Sequence, residues 1–473
     1  MEEYIDKLIS QIRCKKARPY IEEEYRAHLE DQINANKEEG MPDEEAEKNA
    51  VLDMGNPVEV GISMDKIHRP RVAWDIILIV GIISVLAIIV QWIFVSQISN
   101  GNYTINGISQ YTTLTGEINS VGEASNTTFG YVYSFSIGDF ILNVIFGIVL
   151  MGMVYFLDYT AIAKYSKIIG SFIIVAGLYS LLFGTRVNGT YFGLGPVKIS
   201  ATTLMMMFVP IFGAIIFKYH GGGAISLLKC IIWLIVPTII TFRLPSLFTA
   251  GIMMICMLVQ ITLAIHKGWF RVNRKISIIS IWSVFLLLPI IWLFAMYETH
   301  MLAPYQEARI RTWLLCTPSE VDMISQIRLY TKSIPAFGSG GADIIGTLPD
   351  LNRDYVFTYI INTYGSIAGI VVIAVIASLI IMIFSAAFRQ KNELGFSMGI
   401  GCGMLILMNA IINISCSIGI LPPTSSFLPF FSAGGSNTIL CYFLTGLVIS
   451  IYRYKDIYPC DLGNKMIAKK QSL

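Results

Sequence analysis

Charge is what this chain is short of. Asp, Glu, Lys and Arg make up 14% of its 473 residues, against about 25% in ordinary soluble domains. That shortage excludes a soluble enzyme of this length. Metal and redox spacings are missing too. The eight cysteines form no C-x-x-C pair, and the five histidines form no H-E-x-x-H motif. Most of the cysteines fall in apolar runs and read as small buried hydrophobes. The chain starts with charged residues, so no cleavable signal peptide is expected. A net charge of +2 gives no reason to expect a nucleic-acid partner. What remains is 54% hydrophobic, with a mean hydropathy of +0.63. This is the composition of a polytopic membrane protein, whose domains cannot be counted from length.

Residues 1–72 differ from the rest and read as a separate helical accessory module. Tyr4, Ile5, Leu8 and Ile12 repeat at helical spacing, as do Ile21, Tyr25, Leu29 and Ile33. Gly40 stops the second helix, and Pro42-Asp43-Glu44-Glu45 opens a third. Gly55-Asn56-Pro57 breaks that one, and a short segment over Val58–Ile67 follows. So small a module buries little core of its own, and is expected to lean on a partner or on the membrane helices.

Residues 73–473 form the membrane domain. A crossing needs about 20 apolar residues. Candidate spans are Trp74–Phe94, Phe135–Phe156, Ile168–Phe183, Thr202–Phe217, Ile225–Phe242, Leu247–Ile265, Ile276–Tyr297, Tyr355–Phe388, Leu394–Ile420 and Ser436–Ile451. The expected fold is therefore all-α, with about ten transmembrane helices. Basic residues flanking spans stay in the cytoplasm. Lys66, Arg69 and Arg71 precede the first span, and Arg453 and Lys455 follow the last, which puts both termini inside. The segment 96–133 contains no Lys or Arg and reads as translocated. The long connection 298–354 is then extracellular although it carries Arg309, Arg311, Arg328, Lys332 and Arg353. A basic loop above a membrane suits an anionic ligand such as a phosphate.

That loop ends in IPAFGSGGADIIGTLPDLNRDYVFTY, residues 334–359. The glycines of AFGSGG can expose backbone N–H groups, and such nests hold anions. Asp354 sits where the loop meets the apolar run. An ionisable group is costly there, which marks it as a functional candidate. Arg353 is its neighbour, and Asp350 lies one helical turn before it.

Several segments taken in order resemble a known family. PYQEARIRTWL, QIRLYTKSIPAFGSGG, LPDLNRDYVFTYIINTYGSIAGI and GMLILMNAIINISCSIGILPPTSSFLPFFSAGGSN are similar to the shape, elongation, division and sporulation (SEDS) family, of the RodA/FtsW/SpoVE type. The likeness is good over 304–452, weak over 184–249 and absent over 1–72. Those first residues instead resemble the permease-prefix modules that precede some bacterial membrane proteins. The family resemblance implies a multi-pass bacterial plasma-membrane peptidoglycan glycosyltransferase. Such an enzyme joins lipid II units into glycan strands beside a class B penicillin-binding protein. It implies that Asp354 is the essential aspartate, acting as a base on the attacking sugar hydroxyl. Arg309 falls on the family's R-I pair, and Arg311, Arg353 and Asp350 join it as substrate-binding candidates. The turns add Gly338, Ser339, Gly340, Thr424, Ser432, Gly434, Gly435 and Ser436. The leaving pyrophosphate wants cationic stabilisation, from the arginines or from a divalent cation, Mg2+ or Mn2+.

The chain also departs from the pattern. The family's His-Thr before the aspartate is Asn352-Arg353, and Ser246 stands where the family has Asp. A lipid-linked flippase and a catalytically inactive scaffold of the wall-synthesis complex therefore stay open as alternatives. Few charges within the spans count against a flippase.

Overall fold

The computed structural model describes residues 1–100, 136–187, 190–194, 197–244, 246–298, 313, 323–340, 344, 345, 348, 350–422, 424 and 426–457. Four short helices come first: α1 (Glu2–Ser10), α2 (Arg18–Glu38), α3 (Asp43–Asp53) and α4 (Pro57–Ile67). Their joint core is Tyr4, Ile5, Leu8, Ile12, Ile21, Leu29, Ala46 and Ala50, all buried. Gly40 and Gly55 close helices α2 and α3 with φ of +91° and +79°, a conformation glycine adopts without steric cost. The Asn56 side chain then caps α4 by accepting from Val58 N at 2.9 Å.

These helices do not float free of the remaining chain. Lys16 Nζ lies 2.9 Å from Asp158 Oδ2 and sits over the Tyr454 ring. Arg71 pairs with Asp456 at 3.2 Å, and His68 Nδ1 contacts the Asp456 carbonyl at 2.6 Å. These polar contacts are made at the α6–α7 connection and at the end of the last long helix, and the apolar core of the short helices runs on into that of the long ones.

The long helices follow. They are α5 (Trp74–Asn100), α6 (Ile137–Phe156), α7 (Tyr159–Lys164, short) and α8 (Ser166–Phe183). A three-stranded antiparallel sheet interrupts them, β1 (Thr185–Val187), β2 (Thr190–Leu194) and β3 (Val197–Ser200), in the order β1-β2-β3. After it come α9 (Ala201–Met206), α10 (Phe208–Phe217), α11 (Ala224–Arg243), α12 (Leu247–His266), α13 (Arg274–Glu298) and α14 (Met323–Thr331). The last four are α15 (Val356–Tyr364), α16 (Ser366–Phe388), α17 (Glu393–Ser417) and α18 (Gly435–Arg453).

Among the described residues, eight helices are long and apolar enough to cross a membrane: α5, α6, α8, α11, α12, α16, α17 and α18. Helix α13, of 25 residues, covers the expected span 276–297. The shorter apolar run of α9 and α10 covers the remaining expected position, 202–217. The bundle is layered. Helices α12, α17 and α18 are mostly buried, while α6, α8 and α11 turn residues such as Phe146, Phe172 and Ile225 outward. Small residues bring backbones together where helices cross. Gly446 on α18 faces the Met151 main chain of α6, and Gly213 on α10 faces that of Ser397 on α17.

Three expectations need correction. The run Tyr355–Phe388 is not one span. It breaks at Gly365, where φ is +91°, into the short α15 and the long α16. The run 202–217 is shorter than a full crossing and is interrupted by a turn at Met207, whose backbone stays right-handed, and α10 is buried along its whole length. The sheet over 185–200 was not expected, since its alternating pattern is short and interrupted by glycine.

Candidate active site

The approach to α15 is a single tight turn. The Asp350 carbonyl accepts from Arg353 N and Asp354 N, both at 2.9 Å. Asp350 adopts φ +50° to close it. Among the described residues only Asp350 and Phe430 hold positive φ without being glycine. Both border this site, and such strained backbone gathers where the surroundings over-determine it.

The carbonyls of residues 352, 353 and 354 are each held. Asn352 O accepts from Gln91 Nε2 at 3.0 Å and from Ala433 N at 2.9 Å. Arg353 O accepts from Ser432 Oγ at 2.6 Å. Asp354 O accepts from Asn413 Nδ2 at 2.7 Å. Below the turn, α15 is fixed to α5. Tyr359 donates to Gln97 Oε1 at 2.8 Å and meets Phe94 edge-on at 5.0 Å.

Asp354 does not cap α15. Tyr355 occupies that position, and no side chain caps the helix. The Asp354 side chain keeps a partly exposed edge, but protein atoms crowd the carboxyl itself. That burial pushes its pKa up to about 8. The neighbouring Asp350 carboxylate adds to the rise, and Arg353 pulls against it. Arg353 and Asp350 are exposed and lie 3.9 Å apart. A carboxyl so placed can take a proton from a hydroxyl near neutral pH.

Of the other expected site residues, two join Asp354. Ser432 holds the Arg353 carbonyl. Thr424 accepts from Ser426 N and bonds the Ser426 hydroxyl, and the Ser426 carbonyl shares the Asn413 amide with Asp354. Gly434, Gly435 and Ser436 start α18 and lead away, with Gly435 against Asn143 and Ser436 Oγ accepting from Ser200 N at 3.0 Å. Arg309 and Arg311 lie outside the described residues.

The AFGSGG turn corrects an expectation. Gly338 N donates to Tyr364 O at 3.2 Å and Gly340 N to Asn362 O at 2.8 Å. These N–H groups satisfy the end of α15 and are not free to form an anion nest. Gly338, Ser339 and Gly340 therefore sit at the far end of α15 from Asp354, about 12 Å along its axis at 1.5 Å per residue.

Two residues of the turn's surroundings were not anticipated, Gln91 and Asn413. The available signal was the rarity of amides within otherwise apolar spans. Among the described residues no group of three or more His, Cys, Asp or Glu could cage a metal. Asp350 and Asp354 are too few to hold Mg2+ or Mn2+ by themselves, and a cation on Asp354 would take the lone pair a base needs, so a divalent cation would have to come with the substrate's phosphates.

The family model FtsW/RodA/SpoVE, described as a cell cycle protein, matches residues 118–457. An FtsW of Mesostigma viride is 28% identical over 293 residues, which are 58% of this chain and 65% of that protein. The peptidoglycan glycosyltransferase MrdB of Helicobacter pylori is 25% identical over 279 residues, 56% of this chain and 66% of its own length. The chain thus spans just under two thirds of these curated relatives. Among solved structures, a chain from a peptidoglycan synthase complex superposes with a TM-score of 0.59 at 16% identity, covering 82% of this chain and 98% of its own. The rod shape determining protein RodA of Thermus thermophilus gives 0.53 at 13%, covering 81% and 97%. At these identities the structures speak for the fold.

Proposed function

From the premise that this chain belongs to the cell cycle protein family of FtsW, RodA and SpoVE, we propose that this multi-pass membrane protein is a peptidoglycan glycosyltransferase that polymerises lipid II. The observation that carries the reading is the Asp354 carboxyl at the entry to α15, crowded by protein atoms on a turn whose carbonyls are held by Gln91, Ser432 and Asn413, with exposed Arg353 beside it. Asp354 takes the proton of a sugar hydroxyl on one lipid II as that oxygen attacks the anomeric carbon of another. The bond from that carbon to phosphate breaks, and undecaprenyl pyrophosphate leaves with its negative charge. Arg353, exposed beside the turn, and the loop arginines Arg309 and Arg311 are placed in sequence to meet that charge. A divalent cation arriving on the substrate's own phosphates would supply further cationic stabilisation there. A class B penicillin-binding protein is the proposed partner, and residues 1–72 are the proposed accessory module on the cytoplasmic side.

The direct test is lipid II polymerisation by the purified protein, alone and with a class B transpeptidase. Glycan strands are the expected product. Their absence under both conditions refutes the reading. Sidedness has its own test. In Asn126→Cys the new thiol should react with an impermeant reagent from outside, and in Lys465→Cys it should not, as the basic flanks require. The opposite pattern would put Asp354 on the wrong side for flipped lipid II.

Asp350→Asn is the milder change at the site. Asn accepts left-handed backbone as readily as Asp, so the turn survives. The variant loses a negative charge that raises the Asp354 pKa. The expected result is a pH–rate limb moved to lower pH with a rate loss under about 10-fold, smaller than general-base removal costs. A limb that stays in place would disconnect Asp350 from the Asp354 carboxyl.

A further inference from the structure

Gln91 on α5 and Asn413 on α17 are fully buried amides at membrane depth. Such groups are costly among apolar helices unless their hydrogen bonds are made. Each uses one NH2 group twice. Gln91 Nε2 donates to Asn352 O and, at 2.8 Å, to Phe431 O. Asn413 Nδ2 donates to Asp354 O and, at 2.9 Å, to Ser426 O. In each case one acceptor is in the Asp354 turn and the other in the facing 426–434 loop. The amide oxygens, Gln91 Oε1 and Asn413 Oδ1, are buried with no hydrogen-bond partner among the described residues. Both side chains therefore serve their neighbours as donors alone.

We propose that Gln91 and Asn413 are positioning residues for the reaction, clamping the carbonyls on either side of Arg353 so that the Asp354 carboxyl keeps its direction and its burial. The proposal rests on the polymerase reading of Asp354. Generic packing would not direct donors from two separate membrane helices onto one turn. Nor would it make each donor tie the same two loops together. A side chain is only as well aimed as the backbone that carries it, and a shift of about 1 Å can cost about 100-fold in rate.

Gln91→Met and Asn413→Leu remove the donors at nearly constant volume. Dicyclohexylcarbodiimide, an apolar reagent for protonated carboxyls, reports on Asp354 without any need for activity. Labelling of Asp354 against pH, read by mass spectrometry, should have its midpoint near pH 8 in the unaltered protein. Among the described residues the charged or titratable groups that act on the carboxyl are Asp350, Arg353 and Cys416, and neither variant changes them. In each variant the midpoint should fall by about one pH unit or more, as water reaches a loosened turn. For lipid II, kcat should fall about 10- to 100-fold with KM within about two-fold. Where either variant lowers yield, Ser432→Ala removes only the hydroxyl that donates to Arg353 O, and the same downward shift is expected. An unshifted midpoint in folded protein overturns the clamp whatever the activity. A shifted midpoint in a protein that never polymerises sinks the polymerase reading and leaves the clamp standing.

Discussion

Asp354→Asn brings glycan polymerisation down by about 10²- to 10⁴-fold, the usual cost of losing a general base. Asn keeps the size of the side chain and leaves the carbonyl contacts of the turn untouched, so folding and lipid II binding should match wild type. The pH dependence adds a signature. With a pKa of about 8, about a tenth of the carboxyl is ionised at pH 7. The rate of the unaltered protein should therefore climb with pH and level off above 8. The residual rate of Asp354→Asn should lack that limb. Stability moves the other way. The folded carboxyl holds its proton above its ordinary value of 3.8, so the folded state binds more protons than the unfolded one between about pH 4 and pH 8. Stability falls across that window as pH rises, is flat above it, and is regained below it. Asp354→Asn removes this slope. Equal polymerisation by variant and wild type would remove Asp354 from the chemistry.

Gly365→Val should be the most damaging substitution to the fold. Gly365 sits at φ +91° and ψ +171°, a region essentially closed to other residues. A Cβ there would lie 2.6 Å from the Ala336 carbonyl oxygen. That oxygen belongs to the segment pairing with the break, where Ile367 N donates to it and Ser366 N donates to Pro335 O. The nearest atoms are all main chain, of Ala336 and Phe337, so no side chain can move away to relieve the clash. A β-branched residue adds its own penalty at positive φ. The expected cost is more than about 3 kcal/mol. It should appear as a lower unfolding temperature in detergent and as loss of monodisperse protein. Gly365→Ala should fall between. A Val variant that melts with the unaltered protein would show the break to be straight helix.

The sequence revealed these elements unevenly, for physical reasons. Helices α1 to α4 were legible because one residue type carried each signal. Periodic apolar residues marked the faces, and Gly40, Gly55 and the Asn56-Pro57 pair marked the ends. The break at Gly365 was not legible. Asn362-Thr363-Tyr364-Gly365-Ser366 does interrupt the apolar run, but such a dip does not by itself show a break, and the kink is set by a segment about thirty residues earlier. At the site, Asp354 could be singled out because a carboxylate beside an apolar run needs a reason to be there. The glycine turn 338–340 was expected beside it for its closeness in sequence, but a nine-residue helix separates the two. Gln91 and Asn413 were hidden by counting charges within spans, which passes over neutral amides.

The turn is held by the oxygens of residues 352, 353 and 354, and every residue type carries that oxygen. Its framework is therefore indifferent to spelling. Where the family carries His-Thr, this chain carries Asn352-Arg353, and the hydrogen bonds that fix the turn come from neither side chain. Arg353 in particular is exposed. Such a turn can be readdressed to a different head group by rewriting one or two side chains, with its shape already secured by its neighbours.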